Sequence, residues 1–184
     1  MALYRLPPED FPRALGWLVP GDNCTDLQYK ICQRVWCDLG ILEVPNASNR
    51  GTRIDRYTLR SGLKPPQYWC AILVGAVFAD CGVPVPEEYP STDMWLPYMR
   101  DGGPKAAFEV GDAVLYGVKK DAKHIGIVVR VPELQLKQKY TLTVEGNRGF
   151  AGTDTNDGLG VGLGPITRKD ILGYVSPAAL LAAG

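Results

Sequence analysis

One histidine serves the whole chain of 184 residues, so a His-rich zinc site cannot be assembled. The five cysteines, at 24, 32, 37, 70 and 81, are odd in number and form no C-x-x-C pair. That argues against a secreted disulfide framework and for reduced thiols. Net charge is lacking as well, because twenty basic and twenty acidic residues cancel. No general attraction to nucleic acid or another anionic polymer follows, and no nucleic-acid partner is expected. The local cluster Arg50, Arg53, Arg56 and Arg60 reads as one solvated helix face. No run of about 18 apolar residues occurs, so membrane insertion is not expected. The first ten residues hold no continuous apolar core followed by small residues, and no Sec signal is expected of them.

What is present points to one mixed globule with many turns: 46% of residues are hydrophobic, and 15 prolines and 21 glycines punctuate them. The chain is organised around the apolar run Tyr68–Asp80. Pro65 and Pro66 suit the loop before a helix, which places the helix start near Trp69. Ala71, Val74, Ala76, Val77 and Phe78 leave almost no polar face, so this helix should be buried. Cys70 then lies in its first turn, where unpaired N–H groups and the helix dipole favour a thiolate. The alternative is that Cys70 is one more small buried apolar residue.

Around that helix the periodicity predicts a mixed set of elements. Leu27, Ile31, Val35 and Leu39 mark a helix over Thr25–Leu39 with Cys32 on its apolar stripe, and Ile54–Leu59 marks a shorter one. Ile41–Val44 reads as extended and Asn46–Gly51 as a loop. Cys81, at the far end of the cysteine helix, reads as structural. Thr92–Arg100 reads as a short helix whose Trp95 and Tyr98 cover the core. Gly111-Asp112 turns the chain into a strand, Ala113–Tyr116; a second strand, Ile125–Val131, is opened by His124; a third runs over Tyr140–Val144. Phe150–Gly164 reads as a mobile loop, since Asp154 and Asp157 lack the spacing of a calcium loop. Gly164–Val175 reads as an edge strand, alone or after a short helix, and Ser176–Gly184 as a small-residue tail.

A cysteine at a buried helix start, a later histidine opening a strand and a polar residue closing the next strand follow the chain order of a papain-like thiol hydrolase. Cys70 would be the nucleophile and His124 its proton partner, with either Glu145 or Asn147 orienting the imidazole. Glu145 is the favoured orienting group and Asn147 a support; the two are expected to share one strand face. The Cys70 N–H would donate to the oxyanion, with Tyr68 and Asn49 as candidates for a second donor.

Trp-Cys-Ala at 69–71, Gly-Asp-Ala-Val-Leu-Tyr at 111–116, His-Ile-Gly-Ile-Val-Val at 124–129 and Val-Glu-Gly-Asn at 144–147 together resemble the CHAP branch of the NlpC/P60-like peptidoglycan hydrolases. The resemblance runs from about Asn46 to the end of the chain. It implies an α+β, papain-like fold with N-terminal helices packed on an antiparallel sheet. It also implies a single catalytic domain: an extension and helix over 1–45, a core over 46–176 and a tail over 177–184. Tyr68, Trp69, Asn49 and Tyr57 would then border the substrate cleft, with no metal or cofactor. The implied activity is cleavage of an amide bond in peptidoglycan, either muramoyl–L-alanine or a peptide bond of the stem or bridge. Other classes are a non-catalytic virion or wall-binding module, and a thiol amidase acting on protein. A monomer made in the cytoplasm is expected, reaching the wall by lysis, a holin, a virion or specialised secretion. An immunity protein or virion proteins are its candidate partners.

Overall fold

The structure, a computed structural model, describes residues 24–102, 107–118, 121–130, 141–148, 158–167 and 170–183. The expected packing contacts Leu15, Trp17, Leu18 and Val19 lie outside these residues, as do Asp154, Asp157 and the turn at 135–139. The described residues form an α+β fold with helices α1 (Asp26–Trp36), α2 (Thr52–Arg60), α3 (Cys70–Asp80) and α4 (Pro177–Ala183), and a 3-10 helix over Thr92–Tyr98. Strands β1 (Arg100–Asp101), β2 (Ala113–Val118), β3 (Asp121–Arg130), β4 (Thr141–Arg148), β5 (Gly160–Ile166) and β6 (Ile171–Val175) pair in the order β1-β6-β2-β3-β4-β5. Every pairing is antiparallel.

Helix α1 starts where Thr25 and Gln28 satisfy each other's backbone N–H groups in a capping box. Helix α3 is buried from Cys70 through Phe78 and packs across β3 and β4, as its all-apolar sequence requires. Trp95 is also buried; its N–H donates to the Tyr89 carbonyl at 2.9 Å and its ring meets Phe78 edge-on. The Gly-Asp turn has a simple cause. Gly111 takes a φ of 83°, and the Asp112 carboxylate accepts the Glu109 N–H at 2.8 Å, closing the turn that launches β2.

Several expectations are corrected. His124 does not open its strand: Asp121 and Ala122 pair with Val118 and Gly117, so β3 begins three residues earlier and His124 lies within it. Strand β6 is interior, between β1 and β2, and β5 is the outer strand, beginning within the stretch expected to be a loop and running two residues past its end. The glycines of β5 conceal its strand character, yet it pairs along β4 from Thr141–Ile166 to Arg148–Gly160. Beyond β5, Gly40–Glu43 runs alongside it, with Gly40 N–H to Val161, Val161 N–H to Ile41 and Glu43 N–H to Leu159. The expected tail is helix α4, with Pro177 as its first residue and Leu180 buried.

Tyr57 is buried among polar side chains. Its hydroxyl donates to Asp38 at 2.6 Å and accepts from Arg34 and Arg53 at 2.6 and 2.9 Å. Asp38 is fully buried and pairs with both arginines, while Arg34 and Arg60 pair with Asp80 at the end of α3. Three helices are thereby tied together, and Arg50, Arg53 and Arg60 are ion-pair members rather than a purely solvated face. Trp69 is likewise interior. Its indole N–H donates to the buried Glu43 carboxylate at 2.8 Å, and Glu43 also accepts the Asn49 N–H at 2.7 Å. Asn49 therefore anchors its loop to the base of α3. Replacing Trp69 by Phe keeps the packing but removes a donor from a buried carboxylate, which should cost about 1–3 kcal/mol. The expected readout is a lower urea midpoint with an unchanged slope; an unchanged midpoint would show that Glu43 does not depend on the indole.

Candidate active site

Cys70 begins α3, and the first intrahelical bond is Leu73 N–H to the Trp69 carbonyl at 2.9 Å. The Cys70 amide thus precedes the hydrogen-bonded ladder and is one of the helix's orphan donors. Its side chain, 7% exposed, faces a pocket of about 200 Å³ lined by Tyr68, Cys70, Pro90, Ser91, Thr92, Lys123, His124 and Asn147. Sequence order separates these residues by up to 79 positions; packing of α3 on β3 and β4 brings them to one place.

His124 reaches the pocket from β3, held there by two contacts from the 3-10 helix to the residue two positions before it. Thr92 donates to the Ala122 carbonyl at 2.6 Å, and the Ala122 N–H donates to Asp93 at 3.3 Å. The connector whose aromatics were expected to cover the core also forms one wall of the pocket through Pro90, Ser91 and Thr92, while of those aromatics Trp95 is buried and Tyr98 is exposed. The ring's Nε2 lies 3.1 Å from Glu145 Oε2, which leaves Nδ1 for the hydrogen bond with Cys70. Burial opposes the imidazolium, but Cys70 and Glu145 on either side outweigh it and raise the His124 pKa to about 10. Burial also opposes the Glu145 carboxylate; His124, Arg148 and Thr143 overcome this and lower its pKa to about 2.

Glu145 is 1% exposed and has four donors. Oε2 receives His124 and the Arg148 guanidinium, while Oε1 receives the Thr143 hydroxyl and, at 3.1 Å, the Tyr116 hydroxyl. Space for the carboxylate comes from missing side chains. A Cβ on Gly126 of β3 or on Gly164 of β5 would strike Glu145.

Among the two candidates for orienting the ring, Glu145 makes the contact. Asn147 does not share the simple alternation expected of it, because its φ is 53° and the β4–β5 register shifts between Glu145 and Arg148. It still lines the pocket, 3% exposed, with its Oδ1 buried and unpartnered among the described residues. Tyr68 stands at the pocket at 63% exposure. Asn49, Tyr57 and Trp69 do not line it. Tyr116, Thr143 and Arg148 were not singled out by the sequence; only the antiparallel register, which sets Tyr116 opposite His124, could have pointed to the first. Among the described residues no group of three or more His, Cys, Asp or Glu is arranged to hold a metal ion. No family model, curated protein or solved structure matches the chain.

A single histidine makes this electrostatic arrangement directly measurable. His124 has a folded pKa above the unfolded value of 6.5, so its charge stabilises the fold fully below that value and ceases to do so as pH rises through about 10. The one imidazole seen by NMR should therefore stay protonated through pH 8. Cys70→Ala and Glu145→Gln should each lower its midpoint; a wild-type midpoint near 6.5 would contradict the arrangement.

Proposed function

We propose that the protein is a cysteine amidohydrolase of papain-like type, and that its substrate is an amide bond of bacterial peptidoglycan. One observation carries the chemistry: His124 has Glu145 on Nε2 and Cys70 on its other side, at the mouth of a helix with an unused N–H. The substrate class is supported by the resemblance of the motifs around Cys70, Gly111-Asp112, His124 and Glu145-Gly146-Asn147.

In this reading the Cys70 thiolate attacks the scissile carbonyl carbon, forming the C–S bond and moving the carbonyl π electrons onto oxygen. The Cys70 N–H faces the developing oxyanion, which a preorganised donor stabilises more in the transition state than in the ground state. Collapse of the tetrahedral species breaks the C–N bond, and the imidazolium gives its Nδ1 proton to the leaving nitrogen. A water then attacks the thioester, its proton passing to the now neutral imidazole; the acid product leaves and the thiolate–imidazolium pair is restored. Glu145 keeps the Nε2–H tautomer throughout and does not itself take up a proton.

Purified sacculi supply the test. Cys70→Ala should release no soluble fragments while still unfolding in one cooperative transition, and mass analysis of wild-type products would identify the bond. Glu145→Gln should lower the rate by about 10²–10⁴-fold, the range for proton-transfer partners. Asn147→Ala should cost less. Intact sacculi after wild-type treatment, with hydrolysis of a protein amide instead, would move the substrate assignment; full activity of Cys70→Ala would end the nucleophile assignment.

A further inference from the structure

A histidine ring hydrogen-bonded at Nε2 and Nδ1 can still tilt about the line between its two partners, so Glu145 and Cys70 do not by themselves fix its plane. In this site the acceptor is also shared, since Arg148 takes the same Oε2 as His124. Something further must hold the ring flat with Nδ1 toward Cys70. Tyr116 is directly opposite His124 in the β2–β3 register. The two rings stack with centroids 5.6 Å apart and 25° between planes. The same tyrosine donates its hydroxyl to Glu145 Oε1 at 3.1 Å. One side chain therefore touches both the imidazole and the group that orients it.

We propose that Tyr116 is a positioning residue for His124, with its ring face setting the imidazole plane and its hydroxyl steadying Glu145. This rests on the reading of Cys70 and His124 as the reacting pair. The two contacts differ in weight. Oε1 has a second donor in Thr143, so loss of the phenol hydroxyl leaves the carboxylate served. The ring face has no such substitute among the described contacts, and it also attracts a cation lying over it. Burial and the nearby Glu145 charge push the Tyr116 pKa well up, so the hydroxyl remains a donor across the working range.

Two variants separate face from hydroxyl. Tyr116→Phe keeps the stack and should hold kcat within about fivefold of wild type, with the His124 NMR midpoint unchanged, since only one of two Oε1 donors is lost. Tyr116→Leu keeps apolar bulk but removes the face. It should lower the His124 midpoint by about one unit, as loss of a desolvated cation–π contact implies. It should also cut kcat on a soluble peptidoglycan fragment by about 10–100-fold with KM within about threefold, as expected when a reacting group is misplaced. Should the Leu variant fail to fold, Tyr116→Met serves with the same readouts. Unchanged kcat and midpoint in the Leu or Met variant would overturn the proposal, as would equal losses in the Phe and Leu variants. The midpoint needs no substrate. If the wild-type protein releases nothing from sacculi, a shifted midpoint in the Leu variant leaves the positioning role standing while the peptidoglycan assignment falls.

Discussion

A carboxylate withdrawn from water must be given donors, and much of the sheet around Glu145 is arranged to give them. Four side chains from β2, β3 and β4 converge on its two oxygens. The neighbouring positions that would collide with it are glycines. A buried charge that loses one partner of its pair typically costs 3–5 kcal/mol, whereas a pair intact in the interior adds little net stability. The expense of burying Glu145 is therefore recovered in orientation rather than in folding energy. Glu145 and Cys70, on either side of His124, raise its pKa where burial alone would lower it.

Local pattern made much of this legible. The all-apolar run after two prolines placed α3 and put Cys70 at its start, a continuous apolar run placed β3, and alternation placed β4. What the pattern did not carry is which side chains meet across elements. Tyr116 and Thr143 are ordinary strand residues by type, and their hydroxyls gain meaning only from the register that turns both toward Glu145. Tyr57 was misplaced for a related reason. Helical spacing says that it lies one turn after Arg53, but not that Asp38 of another segment is buried beneath both. Trp69 adjoins Cys70 in sequence, yet its indole turns inward to Glu43. Asn147 departed from strand alternation because of a left-handed backbone that no residue pattern announces.

The helical layer depends on a second buried charge. Asp38, with Arg34, Arg53 and Tyr57, joins α1 to α2, and Asp80 joins both to the end of α3. The N-terminal end of α3, which holds Cys70, is fixed separately by Trp69 and Glu43. The helix is thus anchored at both ends by polar contacts while its middle is held by apolar packing alone. Such division would suit Cys70 in the proposed role of nucleophile, because packing tolerates small rotations about the helix axis that a hydrogen bond resists.

The pairing of Gly40–Glu43 along β5 has a consequence for how copies of the chain meet. An outer strand of seven residues would offer its unpaired amides and carbonyls as a template for a neighbour's strand. Here the chain occupies much of that template with its own backbone before any neighbour arrives. At the opposite margin β1 is only two residues long, and both, Arg100 and Asp101, are charged and exposed. Both margins of the described sheet are thus blunted, one by the chain's own backbone and the other by a short, charged strand, two devices that discourage edge-to-edge pairing.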